Sequence, residues 1–76
     1  MSILEERTTR TTVAKVIEIT AESPQSFEDA VERAIVKASE SVHGMRSAWV
    51  DGQQVRIESG KVVGYRVDLK ITFVLD

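Results

Sequence analysis

The sequence has no cysteine, one proline, one histidine and one tryptophan among its 76 residues. Without cysteine, neither a disulfide framework nor a thiolate metal site is open to it. The single histidine, His43, cannot build a typical zinc site alone. Nor does it have a second histidine or a cysteine to work with as an acid–base pair. No apolar run approaches the roughly 18 residues that span a bilayer. The opening stretch M-S-I-L-E-E-R-T-T-R-T-T has no apolar core of the secretory kind, so a cytoplasmic protein is the expectation. Net charge is −2 with both signs interspersed. That balance argues against a nucleic-acid footprint and against attraction to an anionic membrane. No Gly-rich phosphate loop and no nucleophile–base signature occurs. The carboxylates are scattered, and the expectation is a protein that is not an enzyme.

What is there is organised around the stretch from Val63 to Leu75. Val63, Tyr65, Val67, Leu69, Ile71, Phe73 and Leu75 are apolar, whereas Gly64, Arg66, Asp68, Lys70 and Thr72 fall between them. A strand sends alternate side chains to opposite faces, so this period of two predicts one long strand. The odd positions are largely β-branched or aromatic, which suits a half-buried pleated surface. As a helix, the stretch would place charges all round the cylinder.

Upstream, residues 1–11 are polar and threonine-rich and read as a loose arm, with residues 12–76 as the domain. Thr12–Thr20 reads as a first strand, with Val13, Ile17 and Ile19 on one face and Val16 on the other. Ser26 and Asp29 form a capping box in its Asp form ahead of a helix predicted over about Ser26 to Val42. Phe27, Ala30, Val31, Ala34, Ile35, Ala38 and Val42 make its apolar stripe. Asp29 and Arg33 are an i,i+4 pair of favourable sign, and Gly44 is placed as the C-terminal stop. Met45–Val50 and Gln53–Glu58 both look extended. Asp51-Gly52 fits either a tight hairpin or a bulge that bends one long strand, and the short flanks favour the bend. Glu58-Ser59-Gly60-Lys61 is the better turn. The expected class is α+β, in the order β-α-β-β.

This layout predicts its own incompleteness. A helix of about 16 residues spans roughly 24 Å, while a final strand of about 13 residues spans roughly 43 Å. Val16, Val50, Val55, Ile57, Val62 and Val74 add more apolar surface than a monomer of this size leaves wet. A homo-oligomer of closed symmetry is expected.

Few residues present themselves as a site. Trp49 reads as a stacking platform for a flat ligand or, more simply, as an interface anchor. Asp68 and Glu18 share the polar face and offer oxygen ligands to a hard cation. The alternation Arg66, Asp68, Lys70 more simply suggests cross-strand ion pairs.

Three stretches carry a family resemblance. These are K-V-I-E-I-T-A-E-S-P-Q-S-F-E-D-A-V at Lys15 to Val31, S-V-H-G-M-R at Ser41 to Arg46, and G-Y-R-V-D-L-K-I-T-F at Gly64 to Phe73. In order, length and spacing the chain resembles the dodecin family from Val13 to Leu75. The resemblance implies a three-stranded antiparallel sheet wrapped around one helix, with twelve copies in a hollow homododecamer. It implies a flavin ligand, FMN or riboflavin, stored or sequestered without catalysis. A related branch lacks flavin and is associated with calcium. The flavin-binding pattern stacks the ring on a tryptophan of the second strand, where this chain has Ser47. It places a glutamine after the aromatic of the last strand, where Arg66 follows Tyr65. Both substitutions look closer to the flavin-free branch, whose ligand here would be calcium or magnesium. Trp49, two residues beyond Ser47, offers a shifted stacking surface. The candidate ligand-binding residues are therefore Ser47, Trp49 and Arg66.

Overall fold

The computed structural model describes residues 12–75, and the arm read over residues 1–11 lies outside them. Four elements follow one another: β1 (Val13–Ser23), α1 (Phe27–Ala38), β2 (Met45–Glu58) and β3 (Lys61–Leu75). The strands form one antiparallel sheet in the order β1-β3-β2. The strand with the strictest alternation is thus the central one. α1 packs on the face that carries Val67, Leu69 and Ile71, which are buried against Ala30 and Ala34. The two alanines let the helix backbone approach the sheet closely.

The start of α1 is built by a short polar relay. Ser26 is extended, and its Oγ accepts the Asp29 N–H at 2.9 Å, which satisfies one of the helix's unpaired donors. The Asp29 carboxylate accepts the hydroxyl of the buried Ser23 at 2.5 Å and the Arg33 Nε–H at 2.6 Å. Ser23 ends β1 and in turn accepts the Gln25 N–H at 3.0 Å. One carboxylate therefore ties the end of a strand to the first two turns of the helix.

The helix is shorter than its apolar stripe suggested, ending at Ala38 rather than near Val42. Ser39 donates its hydroxyl to the Val36 carbonyl at 2.6 Å, the kind of local bond that competes with a helix. The chain then closes in turns, with Ser41 and Val42 N–H groups both donating to the Ala38 carbonyl. Gly44 is accordingly not the helix stop. At φ +77° it opens β2, where its carbonyl accepts the Val74 N–H at 3.0 Å.

β2 is one strand that bends, as its short halves suggested. Its register against β3 shifts between Val50 and Gly52, and again near each end. The true hairpin is at Ser59-Gly60, with φ values of 52° and 77°. Two successive residues with positive φ make the turn whose twist matches the strands it joins.

Coverage of the sheet is partial. α1 has 12 residues, roughly 18 Å, whereas β3 has 15 residues, roughly 50 Å. Within one chain only the middle of β3's apolar face is dry. Tyr65 and Phe73 are half-buried and Leu75 is 46% exposed. No helix among the described residues is long and apolar enough to cross a membrane.

Two outcomes follow from this packing. Leu69→Ala should destabilise the protein by about 2–5 kcal/mol in urea unfolding at fixed protein concentration, as for other fully buried leucines. The Asp29 carboxyl is held below its ordinary range, first by the Ser23 hydroxyl and then by Arg33. Its contribution is fully present above the unfolded aspartate value of about 3.9 and is lost as pH falls through the lower folded value. The gap in urea midpoint between wild type and Asp29→Asn should therefore be widest near pH 7 and shrink below about pH 4.

Candidate functional site

The face of the sheet turned away from α1 carries the even positions of β3 and their cross-strand partners. Register makes it a set of short rows running β1, β3, β2. Val16, Thr72 and Ser47 form one; Glu18, Lys70 and Trp49 the next; Thr20, Asp68 and Gly52 the third; Glu22, Arg66 and Gln54 the fourth.

Ser47 and Trp49 sit on regularly paired residues ahead of the bend. They therefore share this face, roughly 7 Å apart. Trp49 is 73% exposed. Its neighbours along β2 on the same face, Ser47 and Gly52, are small, so the indole stands clear of its own strand. Its row partner on β3 is Lys70, and Arg66 lies four residues further along, roughly 13 Å away. One chain thus brings Ser47 and Trp49 together and leaves Arg66 apart. Arg66 Nε is 3.8 Å from Asp68 Oδ1 on its own strand, so this pair runs along β3 rather than across it.

Between these positions lies a small polar cavity of about 170 Å³, lined by Glu18, Thr20, Asp51, Asp68 and Lys70 among others. Asp51 reaches it because the β2 bend gives that strand an extra residue there. Asp68 accepts the Thr20 hydroxyl at 3.0 Å. Lys70 Nζ is 4.0 Å from Asp51 Oδ1, a loose cross-strand contact. Three carboxylates against one ammonium leave the pocket net negative, with hard oxygen donors of the kind calcium and magnesium take. Among the described residues, no three acidic or histidine side chains converge tightly enough to hold an ion within one chain. Glu18 and Asp68 were legible as oxygen donors in the sequence. Asp51 was not, because its position depends on the bend.

The same face holds a charged clamp that sequence reading missed. Glu22 Oε2 accepts from Arg56 Nε at 3.1 Å and Nη2 at 2.9 Å, reaching from β1 to β2 over the intervening strand. Gly64 of β3 lies opposite Arg56. A Cβ there would stand 2.7 Å from Glu22 Oε2, so the glycine leaves the passage open. Arg56 hydrogen bonding lowers the Glu22 pKa, and Glu22 in turn raises that of Arg56. The one available signal was a glycine inside an alternating strand, which marks a close approach. His43 is exposed, in the loop beyond the shortened helix, and adds nothing to this face.

The geometry accords with what the chain is similar to. The family model for dodecin matches residues 13–76. The calcium dodecin of Mycobacterium tuberculosis is 38% identical over 61 residues, covering 80% of this chain and 86% of the relative. The crystal structure of that protein, described as calcium-chelating with a novel calcium-binding site, superposes with a TM-score of 0.74, covering 84% of this chain and 91% of that one. The dodecin of Streptomyces coelicolor superposes with a TM-score of 0.81 at 29% identity, covering 86% and 93%. On the family match across β1 to β3, the chain belongs to the dodecin family.

Proposed function

We propose that this protein is a subunit of a closed homo-oligomeric shell, of twelve copies as the family resemblance implies. The shell binds and buffers a hard divalent cation, with calcium as the preferred ion, and catalyses no reaction. The observation that carries this reading is the net-negative pocket of Glu18, Asp51 and Asp68 on the sheet face away from the helix. Oxygen donors of this type suit calcium. One chain supplies too few converging donors, so neighbouring copies or water complete the coordination. The likeness to a calcium dodecin supports the choice of ion. The incomplete covering of the apolar face supports the shell, because Val50, Val55, Ile57, Val62 and Leu75 stand exposed in a single chain and contiguous apolar surface of this kind marks an interaction site.

A second reading is favoured by the exposure of Trp49. A flat ligand such as FMN or riboflavin would stack on the indole in the space left by Ser47. Arg66 would then reach the ligand from a sister copy, since its own chain holds it roughly 13 Å from Trp49. Ser47 and Arg66 replace the aromatic and the glutamine of the flavin-binding pattern, and the cation is therefore the preferred ligand.

Thermal unfolding of the assembled protein separates the two. Calcium at 100 times its Kd stabilises the native state by about 2.7 kcal/mol, so Tm should rise by several degrees and a chelator should reverse it. Asp68→Asn should lose that rise while keeping the assembly's mass. An unchanged Tm with calcium, magnesium and chelator would sink the cation reading. Quenching of added riboflavin that disappears in Trp49→Phe would put flavin in its place.

A further inference from the structure

A groove runs between the C-terminal half of α1 and β1. Its cavity measures about 660 Å³, with Ile17, Ile19, Ala34, Ala38 and Val42 along its walls. Nothing among the described residues fills it. A small-molecule pocket of this size carries a few polar groups converging on its floor. Here the charged side chains stand at the rim. The one buried polar side chain among the described residues, Ser23, lies elsewhere, on Asp29. The groove therefore suits an apolar segment of chain better than a polar small molecule.

Topology says where such a segment comes from. In the sheet order β1-β3-β2, β1 is an edge strand, and its outer row of backbone donors and acceptors is of the kind that proteins cover with a loop. Val13 opens β1 at the groove's own end of the molecule, four residues before Ile17, roughly 13 Å away. Residues 1–11 precede it, and Ile3 and Leu4 are the apolar pair within them. Leu4 is nine residues from Val13, a reach of up to roughly 30 Å. The return to Ile17 and Ile19 is roughly 13–20 Å, which leaves length for the reversal. Adjacent residues of an extended chain point to opposite sides, so Ile3 and Leu4 meet both walls of the groove at once. At the rim, Arg33 is held by Asp29. Lys37 pairs with Glu40 at 3.3 Å, but both are largely exposed, and such a pair is worth little. Lys37 is thus the cation left for Glu5 or Glu6, which directly follow Leu4.

We propose that residues 3–6 dock in the α1–β1 groove of their own chain, with Ile3 and Leu4 between the alanines of α1 and the isoleucines of β1. The docked arm fills the groove and covers the open edge of β1 together. Attachment makes the docking intramolecular, at an effective concentration that a separate peptide does not reach. The inference rests on the fold and the sequence, and on neither the cation nor the shell.

The absence of native cysteine makes the contact directly readable. In the full chain, Leu4→Cys combined with Ala38→Cys should close an intrachain disulfide under mild oxidation, read by thiol alkylation and mass spectrometry. Leu4→Cys with Val36→Cys is the control, because Val36 is 64% exposed on the outer face of α1, away from the groove. The first pair should close at least ten-fold faster than the second. Hydrogen exchange checks the same contact without cysteines. The wild-type amides of residues 5–7 should exchange at least five-fold more slowly than in the variant carrying Ile3→Asp and Leu4→Asp, with far-ultraviolet circular dichroism unchanged. Equal closing rates for the two cysteine pairs, or wild-type arm amides that exchange at the unprotected rate, would overturn the docking. A disulfide found only between chains would overturn it too, since the arm would then lie in another copy's groove. Each of these results leaves the cation and shell readings standing.

Discussion

A short helix laid on a long strand sets the terms for the whole molecule. Roughly 18 Å of α1 must shelter roughly 50 Å of β3, and it shelters only the middle. Among the described residues the buried core is accordingly small: three β3 side chains and two alanines, with half-buried neighbours around them. Stability within one chain depends on a few anchors. Asp29 fixes where the helix begins, and the Ser59-Gly60 turn fixes the register of β2 against β3. The apolar ends of the sheet are the part of the fold that one chain leaves uncovered.

The two faces of the sheet divide the labour. The face toward α1 is apolar and closes the fold. The opposite face is a lattice of charged and polar rows, interrupted by one exposed indole. The bend at Asp51-Gly52 matters there because it adds a carboxylate to a row that would otherwise hold Asp68 with a glycine. Gly64 matters for the reverse reason, since its missing side chain lets Glu22 cross the sheet to Arg56. Neither feature contributes much to the core, and both shape the polar face of the sheet.

Much of the fold was legible because its signals are local and periodic. Alternation along Val63–Leu75 marked the central strand, and Ser26 with Asp29 marked the helix start. The short halves around Asp51-Gly52 pointed to a bent strand rather than a hairpin. The helix end was misjudged because the apolar stripe continues to Val42 while Ser39 already competes for the backbone. Strand order was beyond periodicity, since no local signal says that β1 pairs with β3 rather than β2. The site suffered from the same limit. Ser47 and Trp49 share a face because two residues of one strand do, whereas the separation of Arg66 and the arrival of Asp51 follow from register between strands.

The central place of β3 also bears on how the chain reaches its fold. Among the described residues β1 pairs with β3 alone, and Val13 pairs with Leu75. As the polypeptide emerges during synthesis, β1 and α1 appear long before the strand that unites them. Contacts so distant in sequence slow folding and leave early segments exposed to unwanted association. Threonine, lysine and glutamate along β1 act against that hazard, as polar gatekeepers on a strand that must wait for its neighbour.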